Sequence, residues 1–324
     1  MKVFNEFYMP LIIEEYAQMT EVFNASSGGA FNLLSETHVG DFLKNSFYDN
    51  LGATRRVDRY AANGAQASTA ITQSEDVAVK VAGGFGPFLW EPSQLTWLKK
   101  PDGEAGQVVA QSYASALLID QINTSIAALV AGIGNVAGLT NDVSATAGAA
   151  GGIAYGTIVS TNGLLGDRSQ SINAYVMNGV CENNLRVLNH QNGESLFNGL
   201  GPNGSVNVVA GVLDKPIIVT DAPALTVSTT DYHVLGLKQG ACEVMHDPST
   251  VITNIESTNG KERIETTMQT DYDFSLKLKG FAWDETNGGK SPDDTDLATG
   301  SNWDLNTDAK LAAGVLTTVN QTAP

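Results

Sequence analysis

From Ile264 to Leu278 apolar and polar residues alternate without a break. The even positions Ile264, Thr266, Met268, Thr270, Tyr272, Phe274, Leu276 and Leu278 can face a core. The odd positions carry Glu265, Thr267, Gln269, Asp271, Asp273, Ser275 and Lys277 and can face water. A period of two over this stretch predicts a strand about 50 Å long at roughly 3.3 Å per residue. Asn259-Gly260 precedes it, with the alternating run "VITNIEST" on the other side, which predicts a hairpin. A second long element is helical. Val109, Tyr113 and Leu117 form one row, and Ile119, Ile122, Ile126, Leu129 or Val130, and Ile133 form another at 3–4 spacing. Asp102 is the candidate N-cap. The helix predicted from about Glu104 to Ile133 would be about 45 Å long. Strand and helix match in length and each has one apolar face, so they are expected to pack lengthwise in an elongated unit.

The rest of the chain reads as shorter pieces. After Pro10, the spacing of Ile12, Tyr16, Met19 and Phe23 predicts a short amphipathic helix, ended by "NASSGG". Val77, Val79 and Val81 alternate as a strand, and "GGFGPFLWEPSQLTWLKK" is rich in Gly, Pro and Trp. With little periodicity of its own, this section predicts an extended excursion, and removing Asp76 to Trp97 is expected to leave a foldable body. Residues 134–166 are rich in small side chains and read as a crossing loop. A strand at Ile172–Met177 leads into a short helix. Ile217–Thr220 is a buried-type strand stopped by Asp221-Ala222-Pro223, and "DYHVLGLKQGACEVM" gives a strand pair around Gly240. The fold class is α+β.

Composition narrows the function classes. The 324 residues suffice for one large or two medium domains with a real core, and 42% are hydrophobic. Charged residues are 16%, below the usual quarter, which points to surface hidden between copies. The net charge is −17, and no Lys/Arg cluster exceeds Arg55-Arg56 or Lys99-Lys100, which argues against tight nucleic-acid binding. The opening "MKVFNEFYMPLIIEEY" lacks the pattern of a secretory signal. The most apolar run, Ile126 to Gly134, is short for a membrane span, so no membrane is expected.

Candidate chemistry is sparse. Cys181 and Cys242 form no C-x-x-C and read as reduced, buried thiols. Of the histidines His38, His190, His233 and His246, the last is four residues from Cys242, yet a closed metal site needs about four ligands. "SPDDTD" (Asp293, Asp294, Asp296) could meet a hard cation but lacks the pattern of a calcium loop, and reads as a solvated face. "GIGNVAG" from Gly132 has nucleotide-loop spacing, but a helix precedes it where that motif needs a strand. No G-x-S-x-G or H-E-x-x-H occurs. No catalytic residue, cofactor or metal is expected.

The order of these elements resembles the major capsid proteins of tailed bacteriophages, of the Hong Kong 97-type (Johnson) fold. The resemblance runs over the whole chain. It is carried by "EDVAVKVAGGFGPFLWEPSQLTWLKK", by the long helix "EAGQVVAQSYASALLIDQINTSIAALVAG", by "AYVMNGVCENNLRVLN", "GVLDKPIIVTDAPAL" and "YHVLGLKQGACEV", and by the closing "DYDFSLKLKGFAWDETNGGKSPDDTDLATGSNWD". It implies an N-terminal arm (1–54), an E-loop excursion (55–101) and the peripheral domain's spine helix and crossover (102–150). An axial domain (151–247), then the peripheral long strands and tail (248–324), complete the chain. It also implies self-assembly through hexamers and pentamers into an icosahedral virion shell around double-stranded DNA, put together in the host cytoplasm. A portal, a scaffolding protein and a decoration protein would be partners. Because the chain opens on the arm, a scaffold is expected to be separate or absent. Trp90, Trp97, Phe85, Phe88 and Lys80 of the excursion are the expected contacts between subunits. Trp283 and Trp303 are expected to anchor the tail. An encapsulin-type nanocompartment shares the same reading of the fold. A nucleotide-dependent enzyme built on the Gly132 loop is the remote alternative, and a strand-built adhesin is disfavoured by the missing signal.

Overall fold

The computed structural model describes residues 2–36, 38–48, 54–66, 68, 70–91, 102–146, 151–191, 211–212, 215–247, 250–260 and 262–321. An N-terminal helix (Lys2–Ser26) is followed by strands β1 (Phe31–Leu34), β2 (Phe42–Tyr48) and β3 (Gln73–Trp90). The spine helix spans Asp102–Gly134 and leads to β4 (Thr140–Asp142). A helix at Tyr155–Asn162, β5 (Ile172–Met177), a helix at Gly179–Gln191, β6 (Gly211–Val212) and β7 (Lys215–Val219) follow. Then come β8 (Asp231–Lys238), β9 (Cys242–Met245), β10 (Ile252–Thr258), β11 (Glu265–Leu278) and β12 (Phe281–Trp283). A short helix (Asp294–Leu297), β13 (Trp303–Leu305) and β14 (Gly314–Asn320) close the chain.

The described strands form two six-stranded sheets and one small pair. The first has the order β1-β9-β11-β3-β2, with β10 on the same side of β11 as β9. The second has the order β4-β14-β8-β5-β7-β6. β12 and β13 pair on their own.

In β11 the side chains at even positions from Thr266 to Leu278 are all buried, as the alternation predicts. The spine helix lies along this face. Tyr113 packs edge-on to Phe85 of β3 at 5.1 Å, and Phe85 sits opposite Thr270. Tyr272 donates a hydrogen bond to Asp120 at 2.8 Å. A Cβ on Gly132 would touch Leu278 at 3.4 Å. From Tyr113 to Gly132 the helix advances about 28 Å, and from Thr270 to Leu278 the strand advances about 27 Å. The two long elements run side by side in the same direction. Tyr272 can lie flat here because Gly83, its register partner, has no Cβ: one placed there would meet the Tyr272 ring at 2.5 Å.

The N-terminal helix runs through Pro10 rather than starting after it. It packs on the spine helix through buried Ile12 and Tyr16, and Tyr16 donates to Gln121 at 2.6 Å. From Ile12 onward this segment belongs to its own body.

Five expectations need correction. The 55–101 excursion is not one detached piece. Residues 73–90 form one 18-residue strand in the first sheet, flanked by β2 and β11, and Val77, Ala78 and Val79 are buried. Gly86-Pro87, which reads as a breaker, is absorbed where the register slips: these two residues oppose Gln269 alone. Such a bulge is one of the few places a strand tolerates Pro. Deleting 76–97 would therefore unfold the body. Second, β8 and β9 around Gly240 do not pair with each other. Gly240 (φ 63°) turns the chain from the second sheet into the first. Third, the chain beyond 248 does not stay with the long strands, because β14 inserts between β4 and β8 of the second sheet. Fourth, Asn259-Gly260 opens a longer connection, with Thr258 paired to Glu265, rather than a two-residue turn. Ile264 lies in it and is 54% exposed. Ile264→Asp is therefore expected to shift stability by less than about 0.5 kcal/mol, as surface changes usually do, in a denaturant melt. Fifth, the apolar stretch of the spine helix is longer than Ile126–Gly134. Gln111–Gly134 is long and apolar enough by length and composition to cross a membrane, but half of its most apolar window is buried inside the fold.

Candidate assembly surfaces

β2 and the first half of β3 form an antiparallel hairpin, in register from Phe42↔Val79 to Tyr48↔Gln73. Along it, Lys44 pairs with Glu285, and Asn306 donates to the Glu75 carbonyl at 2.9 Å. Farther out, Tyr48 is 70% exposed and Ile71 61%. Residues 54–66 run without regular structure and all are exposed, with Tyr60 at 99% and Val57 at 63%. Two strands alone cannot bury both of their faces. Exposed Tyr, Val and Ile together on such an arm form a candidate surface for contact with another molecule.

The residues named for contact between subunits divide. Lys80 lies opposite Ser275 in the sheet, bonded to Asp273 at 3.2 Å and to the His38 carbonyl at 3.0 Å. Phe85 is half-buried between Phe88 and Tyr113. Both are engaged in their own chain, because β3 is a strand of the sheet here rather than part of a detached excursion. Phe88 is 45% exposed and open to a partner. The Trp90 side chain and all of Trp97 lie outside the described residues.

Trp283 and Trp303 are register partners in β12 and β13, with ring centroids 4.9 Å apart and edge-on. Trp303 Nε1 donates to the Leu297 carbonyl at 3.0 Å, and Trp283 Nε1 donates to the Gly289 carbonyl at 2.9 Å. Between the two tryptophans, Asp293 and Asp296 form a reciprocal capping box on the helix Asp294–Leu297. Two of the three aspartates thus serve a helix end. Among the described residues no group of three or more His, Cys, Asp or Glu side chains is arranged to hold a metal ion.

The other candidates have structural employment. Gly132 is inside the spine helix, where an added methyl would meet Leu278 and the Trp303 Cβ at ordinary contact distance. Gly132→Ala is expected to be neutral or to stabilise by up to about 1 kcal/mol through helix propensity, read by thermal melting. Burial pushes the thiols of Cys181 and Cys242 up to about 12, the reverse of a ligand or nucleophile thiolate. His246 Nδ1 donates to the Asp273 carbonyl at 2.7 Å, and its ring packs against Tyr16. Burial lowers the pKa of His246, and also those of His38 and His233. The fold therefore favours the neutral ring. This stability is present above about pH 6.5, the unfolded value, and is lost as pH falls toward the folded pKa. Melting temperature is expected to fall from pH 7 to 5, with a shallower fall in His246→Gln. The His190 side chain lies outside the described residues.

The hydrophobic pattern does not single out Arg55, Arg56, Arg59 and Tyr60, the first two of which read only as a small basic cluster. The signal that could have found them is their composition: Arg and Tyr together in a segment with no apolar period.

Solved structures similar to this architecture include a phage capsid and an encapsulin. The capsid asymmetric unit of cyanophage Pam1 matches with TM-score 0.56 and 12% identity, covering 91% of this chain and 89% of that one. Microbacterium phage Oxtober96 gives 0.54 and 12%, covering 89% and 88%. A SrpI encapsulin complex from Synechococcus elongatus PCC 7942 gives 0.52 and 11%, covering 90% and 86%. A search of curated proteins gave no match. The fold is therefore that of the tailed-phage capsid subunit, the Hong Kong 97 type. A sequence model of the Gp13-like family, described as major capsid protein 13-like, matches residues 1–316, and the chain belongs to that family of phage major capsid proteins.

Proposed function

We propose that this subunit closes, through hexamers and pentamers, into an icosahedral shell around the double-stranded DNA of a tailed phage. The observation that carries this reading is the β2–β3 hairpin, whose outer half leaves apolar side chains open to water and continues into an exposed tip. In this reading the hairpin is the E-loop and lies on a neighbouring subunit, and Phe88, toward the other end of β3, makes a further contact. The first sheet and the spine helix act as the peripheral domain and the second sheet as the axial domain. Trp283 and Trp303 hold the tail on the body. A scaffolding protein, a portal and a decoration protein are the partners this assembly requires or accepts, and it forms in the host cytoplasm. Its role is structural and not catalytic. The net charge of −17 suits a wall that must not grip the packaged DNA.

Replacing residues 49–72 with a short turn tests this. The variant is expected to keep the far-ultraviolet spectrum and melting temperature of the wild type, yet to sediment without shells. Normal shells would contradict the hairpin's role. The likeness to an encapsulin supports a second reading, a cargo-loaded nanocompartment with the same subunit contacts. Protein cargo in place of DNA inside native particles would favour it.

A further inference from the structure

The tip of the hairpin differs in charge from the rest of the molecule. Residues 54–66 hold Arg55, Arg56 and Arg59 against a single acid, Asp58, in a chain whose net charge is −17. All four are exposed, and Asp58 accepts a hydrogen bond from the Tyr60 backbone at 2.9 Å. Among the described residues no carboxylate of the same chain pairs with the three guanidinium groups. Beside them stand Val57 and Tyr60, both open to water. Arg and Tyr are among the residue types most enriched where protein interfaces bury their centres. Three arginines are too few to hold duplex DNA against the repulsion of so acidic a chain.

We infer that Arg55, Arg56 and Arg59 dock the hairpin tip on the acidic surface of a second copy of this chain, with Tyr60 and Val57 as the apolar centre of the contact. The inference rests on the reading that the hairpin reaches a neighbour, and it adds the chemistry of that contact. Opposite charge on tip and target steers each arm to its seat and sets its register. Like-charged bodies that would otherwise repel are thereby joined through their few basic points. The contact is screened by salt, because the Debye length shrinks from about 10 Å at 0.1 M to about 3 Å at 1 M.

The test uses the full chain as wild type, as the triple variants R55E/R56E/R59E and R55A/R56A/R59A, and as the 49–72 replacement. The triple variants are expected to melt like the wild type, since all three side chains are exposed in the monomer. The Glu variant is expected to lower the yield of sedimenting shells at least about ten-fold, the effect of roughly 1.4 kcal/mol. Assembly of the wild type is expected to weaken with salt, and the Ala variant is expected to lose that dependence. Trypsin supplies a second readout that needs no variant. Cleavage after Arg55, Arg56 and Arg59 should be much slower in assembled particles than in dissociated subunits. Wild-type yields from both triple variants, or equal trypsin cleavage in the two states, would overturn the inference. If the 49–72 replacement still fails to assemble in that case, the hairpin reading stands and the arginine contact alone falls. Retention of duplex DNA by the wild type, lost in the Ala variant, would also overturn it and assign the tip to nucleic acid.

Discussion

Trp303→Ala is expected to destabilise the subunit by about 3–5 kcal/mol, the range for truncating a large buried aromatic. The ring is fully buried and lies edge-on to Trp283. Its Nε1 closes a hydrogen bond to Leu297 that nothing else would replace. Its Cβ lies beside Gly132 of the spine helix, which also faces Leu278 and Phe281. The substitution therefore opens a cavity where β12, β13 and the spine helix meet, and frees the segment between the two tryptophans. Urea unfolding should show a lower midpoint, and limited proteolysis should find new cleavage between residues 284 and 302. Trp303→Phe keeps most of the volume but loses the indole donor, and should cost clearly less. An unchanged midpoint in Trp303→Ala would mean that the pair is not a structural anchor.

Gly314→Val is expected to prevent folding or to cost at least about 3 kcal/mol, the upper end for overpacking. Gly314 begins β14 and sits opposite Leu237 of β8. A Cβ at this position would lie 2.1 Å from the Gly236 carbonyl oxygen and 3.1 Å from the Leu237 Cα. These are backbone atoms of the neighbouring strand, so no side chain can swing aside. Relief would require β14 to part from β8 in the middle of the second sheet. Soluble expression and circular dichroism read the outcome. Gly132→Ala is the matched control, since its new methyl meets ordinary contacts.

The long elements are legible in the sequence because each has a single apolar face repeated many times. The even positions of β11 from Thr266 to Leu278 are buried as the alternation predicts, although Ser275 on the other face is buried too. In the spine helix Tyr113, Leu117, Ile126, Leu129 and Ile133 are buried, but Ile119 of the predicted second row is 55% exposed, because the buried face there passes through Gln121, Thr124 and Ser125. β5 is legible as a short apolar run with a turn after it. What the sequence hides is partnership. Local sequence around Gly240 gives two strands and a turn, which describes a hairpin as well as a crossing between sheets. What decides is β14, far along the chain, which takes one side of β8 while β5 takes the other. The 18-residue extent of β3 is hidden because Gly83, Gly84, Gly86 and Pro87 break the alternation. Gly83 admits the Tyr272 ring and Gly86-Pro87 forms a bulge, reasons that exist only once β11 is beside them.

The candidate site is legible in outline only. The sequence predicts an excursion over 55–101 that includes the exposed stretch, but it puts the contact residues later, at Lys80, Phe85, Phe88, Trp90 and Trp97. Lys80 and Phe85 belong to a segment that the sheet holds, and the exposed tip lies earlier, in the connection between β2 and β3. Exposed loops carry no periodic signal. Arg55, Arg56, Arg59 and Tyr60 gain meaning from standing open to water, which sequence alone does not display.

The decisive measurement is electron microscopy of the purified chain, expressed alone and together with the scaffolding protein proposed as its partner. Closed shells, or rings of six and five subunits, are expected, with density for the β2–β3 hairpin lying across the adjacent subunit. Isolated subunits under both conditions, or shells in which the hairpin folds back on its own body, would contradict it.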